Sequence, residues 1–380
     1  MIPGRYSTAA PVRGLHRKLL MTRADTPTIA LKLCEPPPLP TAAMLRRRTP
    51  PHATLVPGTR IGVWRVEREL GSGGMATVYD VVHTRYGKRA ALKLAHAAGF
   101  GRRFTSEAFL REARTANLID HAGVAEVFAT GTHDGRPYLA MELLPGRSLG
   151  ACLDDSLPRA EILELLIELC DVLVAAHAAG VTHRDLKLDN VYLLDGLVAG
   201  GHRTKLLDWG MARIAGEDDP LRGLIAGTLT YVAPEQLRGD DITPAADVYA
   251  LAVLAYRLLL CQPPFSSPND LELLQQHLHA EPPRPRLWWS AIPRDLEVTL
   301  LAMLAKQPRD RPALPHIMDV LRNARAQIAS RKRPGPPAAS RGRGVARPGF
   351  AWLTPRPRRL AGAALGLALT VASLLRLLSA

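Results

Sequence analysis

The hydrophobic pattern of this chain changes period once, between residues 145 and 158. Before the change, short runs alternate apolar and polar positions as a half-buried strand requires. These runs are IGVWRVEREL (61–70), MATVYDVVH (75–83) and RAALKLA (89–95). VAEVFATGT (124–132) and PYLAMELL (137–144) flank a His133-Asp134-Gly135 turn and predict a hairpin. One helical stretch, FTSEAFLREARTANLI (104–119), sets Phe104, Phe109, Ala113, Ala116 and Leu118 near one side. After Pro145-Gly146 the period is helical. RAEILELLIELCDVLVAAHAAG (159–180) aligns Ile162, Leu165, Leu166, Leu169, Leu173 and Ala176, entered by Ser156 and Pro158 and closed by Gly180. Further helices are predicted over 245–260, 269–280, 293–305 and 312–328. The pattern predicts an α+β chain: a small antiparallel-β lobe with one helix (58–144), then a larger, mainly helical lobe (145–330).

Both ends differ from this centre. Of the net charge of +14, the first 60 residues carry +8 and the last 50 carry +10, leaving −4 over 61–330. A nucleic-acid groove needs basic residues on a folded surface, so the charge argues against a nucleic-acid partner. Residues 1–57, rich in Pro and Arg (CEPPPLP, RRRTPP), read as a disordered extension with no apolar core for a signal peptide. Met21 and Met44 are alternative starts within it. Cys34, Cys152, Cys170 and Cys261 have neither metal nor disulfide spacing and read as thiols of a reducing compartment. Residues 331–359 form a basic Pro/Gly-rich linker. It leads into LAGAALGLALTVASLL (360–375), uncharged until Arg376. With Arg376, Leu377 and Leu378 included it spans about 28 Å, matched to a ~30 Å hydrocarbon core, and predicts a C-terminal hydrophobic helix over 360–379. The basic flank predicts a single pass through the cell inner membrane, with the folded part in the cytoplasm. Gly362 and Gly366 make a GxxxG through which a homodimer could pack.

The chemistry lies in the centre. LGSGGMATV (70–78) is a glycine-rich turn between two strands, where backbone N–H groups can approach phosphates. Lys93 stands inside the apolar run ALKL and needs an acidic partner; Glu112 on the following helix is the best placed, with Glu107 as fallback. HRDLKLDN (183–190) crowds opposite charges just past the long apolar helix, so those residues either face water or hold something. LLDWG (206–210), GTLTYVAPE (227–235), ADVYALAVLAYRLL (246–259) and DRPAL (310–314) follow in order.

In this order and spacing the motifs resemble those of protein kinases of the eukaryotic-like type, in their bacterial serine/threonine branch, over about residues 60–325. The resemblance implies a bilobal protein kinase fold that uses ATP and Mg²⁺ to phosphorylate Ser or Thr of protein substrates. It implies that Leu70, Gly71, Ser72, Gly73, Gly74, Met75, Ala76, Thr77 and Val78 cover the nucleotide. Val78 and Ala91 would lie above adenine and Tyr192 below, with backbone bonds from Glu142 to Leu144 and Met141 guarding the pocket. Lys93, held by Glu112, would hold the α/β-phosphates, while Asn190 and Asp208 would bind the metal. Asp185 would orient the substrate hydroxyl and take its proton, Lys187 would neutralise the moving phosphoryl group, and Thr228 would tie both to the substrate-docking segment. The structural matches implied are a Glu235–Arg311 pair, Asp247 holding the catalytic-loop backbone, and His183 stacked on Trp209. Ala76, Leu188, Trp209 and Tyr192 depart from the usual residues, but none removes a catalytic polar group; a pseudokinase scaffold is the alternative.

The resemblance also implies that Arg184, before the catalytic Asp, binds a phosphate added to the following loop. Between Asp208 and Thr228 there is no Ser, Thr or Tyr, but there are Glu217, Asp218 and Asp219. Two expectations stand side by side: one of these carboxylates pairs with Arg184 and holds the loop without phosphorylation, or the three acids simply solvate a mobile loop.

Overall fold

The computed structural model describes residues 54–73, 76–96, 102–153, 157–196, 201–219, 221 and 227–331. The extension through residue 53, Gly74 and Met75, Ser156, the linker from 332 and the apolar segment 360–379 with its GxxxG lie outside them. So does the side chain of Phe104. Among the described residues no helix is long and apolar enough to cross a membrane.

The first lobe is one antiparallel sheet in the order β1-β2-β3-β4-β6-β5. Its strands are β1 (Arg60–Ile61), β2 (Trp64–Ser72), β3 (Ala76–His83), β4 (Arg89–Ala95), β5 (Val127–His133) and β6 (Arg136–Met141). The β5–β6 hairpin closes on Asp134 and Gly135, both at positive φ, the geometry in which a two-residue turn follows strand twist. Register sorts the faces. Val78 pairs with Lys93 and Lys93 with Leu139, while Ala91 pairs with Met141, so these residues share the face toward the second lobe. The opposite face buries Trp64, Val66, Tyr79, Val81, Leu92, Leu94 and Ala140 in a core of its own. Helix α1 (Arg102–Leu118) lies on the first face, with Phe109 and Ala113 packed on Ala76, Ala95 and Leu139.

Two details differ from the sequence expectation. Leu118 is 49% exposed, and Ile119, just past the helix end, is buried in its place. The chain leaves helical phase there, which brings the next side chain inward. The hairpin also begins at Val127 rather than Val124, because Val124 bridges in parallel to Leu206 of the second lobe.

The second lobe is built on α2 (Arg159–Ala178) and α4 (Ala245–Leu260), the two most apolar described helices, separated by a short α3 (Pro234–Arg238). The predicted stripe of α2 is buried at every position. Helices α5 (Asp270–His279), α6 (Arg294–Met303) and α7 (Leu314–Arg331) complete the lobe. Two small antiparallel sheets belong to it: β7 (Gly146–Ser148) and β10 (Thr204–Leu206) on either side of β9 (Val191–Leu194), and β8 (Val181–Thr182) with β11 (Arg213–Ile214). Glu235 and Arg311 form the expected pair at 2.6 and 2.7 Å, both side chains almost wholly buried. Removing one partner from such a pair costs about 3–5 kcal/mol, because the other charge stays buried alone.

His277 on α5 is fully buried beside Phe265, and its Nδ1 shares a 2.9 Å hydrogen bond with the Tyr249 hydroxyl. Burial, with the nearby Lys306 charge, pushes its pKa down to about 3. The unfolded chain takes up this proton near the ordinary value of about 6.5, so stability falls as pH drops below that point. Between pH 7 and 5 the loss is about 2 kcal/mol. Denaturant unfolding at the two pH values checks this: His277→Gln should lose most of the difference, and an unchanged difference would contradict the assignment.

Candidate active site

Lys93 reaches the inner face of the first sheet because β4 alternates, and it meets helix α1 there. Its Nζ donates to Glu112 Oε1 and Oε2 at 3.1 and 2.9 Å and to Asp208 Oδ1 at 2.9 Å. The lysine predicted to need one acid has two, from different lobes, and Glu107 is not needed. Burial works against the Lys93 charge, but the Asp208 and Glu112 carboxylates outweigh it and raise its pKa above the usual lysine range. Burial would likewise raise Asp208, yet the Lys93 charge and hydrogen bond hold its pKa below normal. Asp208 has left-handed backbone (φ 63°) and is followed by the buried Trp209. The Trp209 ring lies 4.5 Å from that of His183, the expected stacking.

The loop between β8 and β9 carries the other charges. Arg184 is also left-handed (φ 69°), a conformation that costs a non-glycine residue of order 1–3 kcal/mol and needs its surroundings to impose it. Asp247, fully buried at the start of α4, does so. Its oxygens accept the N–H groups of His183 and Arg184, each at 2.9 Å, and lie 2.9 Å from His177 Nε2. Burial would raise this carboxyl, but the His177 contact and the backbone bond hold its pKa below the usual range.

Asp185 is thereby set at the centre of a small network. Its Oδ1 accepts the Thr228 N–H (3.0 Å) and hydroxyl (3.1 Å), and its Oδ2 accepts Lys187 Nζ at 2.7 Å. Lys187 also donates to Thr228 Oγ1 at 3.1 Å, closing the triangle the resemblance implied. Gly227 lets the segment approach: at φ 112°, an added Cβ would lie 3.1 Å from the Arg184 carbonyl oxygen and 3.5 Å from Asp185 Oδ1. Asn190 donates through Nδ2 to the Asp185 carbonyl oxygen (2.8 Å) and Oδ2 (3.3 Å). With the amide nitrogen so used, its carbonyl oxygen is the ligand-type atom. Together with the Asp208 carboxylate this gives two hard oxygen donors, the donor set that suits Mg²⁺.

The strands above the cleft suit a nucleotide. Ala91 is buried and Val78 half-buried on the Lys93 face, with Met141 next to Ala91. Glu142 spends its N–H on the Glu126 carbonyl (2.9 Å). No backbone bond among the described residues uses the Glu142 carbonyl or the Leu144 N–H, which leaves both for an adenine edge. An added Cβ at Gly71 would meet nothing within 4 Å, and at Gly73 only the Ala76 oxygen at 3.8 Å, so the space beside both glycines is open. Ser72 and Thr77 bridge the strands by their hydroxyls at 3.0 Å. Ala76, in place of glycine, turns its methyl inward against Phe109. Tyr192 donates its hydroxyl to the Gly146 carbonyl at 2.9 Å, which fixes the ring expected as the floor. Of the three loop acids, Asp219 is the one on Arg184; Asp218 is exposed.

Some polar contacts were missed by the sequence reading. Lys205, buried in β10, donates to Glu142 at 2.6 Å and to the Val124 carbonyl at 3.2 Å, tying the residues before β5 and after β6 to the second lobe. The rule that singles out Lys93, a cation inside an apolar strand, applies equally to it. Arg114 pairs with Glu217 at 2.7 Å. His121, Asp171 and His202 cluster at a spacing a metal could use. However, His121 Nδ1 accepts the Gly123 N–H at 3.0 Å. Its proton therefore sits on Nε2 and points at Asp171 Oδ2, 3.3 Å away, where a metal would need a lone pair. The cluster is a hydrogen-bonded link between segments.

Residues 64–321 match the family model described as the protein kinase domain. The chain is 38% identical over 287 residues to the serine/threonine-protein kinase Pkn1 of Myxococcus xanthus, covering 73% of this chain and 41% of that protein. It is 31% identical over 251 residues to the serine/threonine-protein kinase PknL of Mycobacterium tuberculosis, covering 65% of this chain and 62% of PknL. The solved kinase domain of PknI from M. tuberculosis superposes with a TM-score of 0.55 at 28% identity, covering 71% of this chain and all of that domain. The chain thus spans less than two thirds of the length of the curated relatives it matches.

Proposed function

The chain belongs to the protein kinase family, and from that premise we propose that it transfers the γ-phosphoryl group of ATP to serine and threonine hydroxyls of proteins. The observation that carries this reading is the single Lys93 ammonium bonded to Glu112 and Asp208, with the Asp185–Lys187–Thr228 triangle on the same cleft. Phosphoryl transfer needs placement and charge neutralisation more than covalent help, and these residues supply both. Lys93 holds the nucleotide phosphates. Asn190 and Asp208 hold Mg²⁺, which supplies neutralisation of the phosphate charge. Asp185 aligns the incoming hydroxyl. As its oxygen bonds to the γ-phosphorus, the bond to the β–γ bridging oxygen breaks, ADP leaves, and the hydroxyl proton passes to the Asp185 carboxylate. Lys187 faces the group in flight. The serine/threonine preference is supported by Lys187 two residues after Asp185, bonded to Thr228, and by the names of the relatives.

The apolar segment 360–379, preceded by a basic linker, supports a further proposal: a single inner-membrane anchor with the catalytic lobes in the cytoplasm. One preparation tests both readings. Full-length chain given γ-labelled Mg-ATP and a protein substrate should yield phosphoserine and phosphothreonine and should sediment with membranes, while a chain ending at Arg331 should not sediment. Absence of labelled product would leave a scaffold role in place of the enzyme. A full-length chain that stays in the supernatant would remove the anchor.

A further inference from the structure

Arg184 is the residue before the proposed catalytic base, and its side chain is only 3% exposed. Every other attachment it makes is rigid. Its N–H is fixed by Asp247, and its carbonyl oxygen accepts Gln236 Nε2 at 3.1 Å. A guanidinium buried beside Asp185 needs a counter-charge, or the loop carrying both will not hold its strained backbone. Asp219 provides it with fork geometry: Nη1 donates to Oδ1 at 2.9 Å and Nη2 to Oδ2 at 2.5 Å. The same Oδ1 accepts the Leu221 N–H at 3.1 Å, so the carboxylate also fixes its own segment. Two residues earlier, Glu217 takes Arg114 of helix α1, the helix whose Glu112 holds Lys93. This second link is weaker, because the Arg114 side chain is 68% exposed. The acidic run thus touches both parts that must stay in place for transfer, the Asp185 loop and the Glu112 helix.

We propose that Asp219 is the positioning residue that holds Asp185 ready for transfer, with Glu217 as a secondary brace, so that the chain is active without modification of the segment between Asp208 and Thr228. The inference rests on the proposed kinase activity. Two observations carry it. The segment contains no hydroxyl to phosphorylate. One of its carboxylates already occupies the buried cation in a two-point fork. The Arg184 contact also holds the Asp219 pKa below the usual carboxylate range, so the clasp is charged at neutral pH.

The test uses the full chain, treated with a broad phosphatase and compared with untreated enzyme, alongside Asp219→Asn, Asp219→Glu and Glu217→Gln. Phosphatase treatment should change kcat by less than about 2-fold. Asp219→Asn, which keeps shape but not charge, should lower kcat about 30-fold with KM for ATP within about 2-fold, since Asp185 is displaced and Lys93 is not. Asp219→Glu should recover part of the rate, and Glu217→Gln should cost about 2- to 3-fold. A wild-type kcat in Asp219→Asn would overturn the proposal, as would loss of most activity on phosphatase treatment. Hydrogen exchange reads the clasp without turnover: Asp219→Asn should speed exchange at 184–185 and 213–221. If wild-type enzyme transfers no phosphate, the kinase reading fails, and unchanged exchange in the variant separately rejects the clasp.

Discussion

Asp185→Asn is expected to lower kcat for phosphoryl transfer by about 10³-fold while leaving KM for ATP within a factor of about two. Asparagine fills the same volume, and its amide oxygen can keep the contact to the Thr228 N–H, although its amide nitrogen cannot accept from Lys187. It cannot take up the proton of the attacking hydroxyl, and general-base assistance is worth ~10²–10⁴ in rate. The nucleotide should still bind, because Asp185 bonds to Thr228 and Lys187 on the substrate side, whereas Lys93 and Asp208 bond to each other on the other side. Single-turnover measurement with bound Mg-ATP separates the two effects. A variant with unchanged kcat would show that Asp185 only shapes the loop.

Lys93→Ala should have an effect of similar size, but on binding. Its ammonium bonds both Glu112 and Asp208, and alanine leaves the buried Glu112 carboxylate and the partly exposed Asp208 carboxylate without that cation. Breaking the buried Lys93–Glu112 pair costs up to about 3–5 kcal/mol. The loss should appear as a lower melting temperature and as affinity for Mg-ATP weakened about 100-fold, or about 2.7 kcal/mol. Glu112, pushed up to about 7 by burial against the pull of Lys93, already shows how little this cleft favours a second carboxylate charge. Without Lys93 it should stay protonated well past neutral pH, and helix α1 loses its buried tie to Asp208, with the exposed Arg114–Glu217 pair remaining.

Lys93 was legible in the sequence because a lysine in an apolar strand requires an acidic partner, and Glu112 was the best-placed acid on the helix that follows. The role of Asp208 came from the resemblance carried by the order of motifs. The stripe of α2 was legible because six apolar positions at helical spacing leave one way to pack, whereas the role of Asp247 came from the family resemblance. That one of three acids would take Arg184 was one of two open readings of the sequence, the other being that the acids only solvate the loop. Which acid it would be was not readable: Glu217, Asp218 and Asp219 are adjacent, and the path of the loop from β11 sends only Asp219 inward. Leu118 and Ile119 exchanged places for a similar reason, the helix ending one residue before the apolar pattern does. Lys205–Glu142 and the His121–Asp171–His202 link join residues 63 and 50 or fewer positions apart that no local spacing connects.

The central claim is that a lysine and a glutamate from the first lobe and two aspartates and an asparagine from the second converge on one Mg-ATP site. Calorimetric titration of Mg-ATP onto the full chain and onto Lys93→Ala tests it most directly. The account predicts one saturable site in the wild type, lost without Mg²⁺ and weakened about 100-fold in the variant. Absence of Mg-ATP uptake by a folded wild-type chain, or equal uptake by the variant, would contradict it.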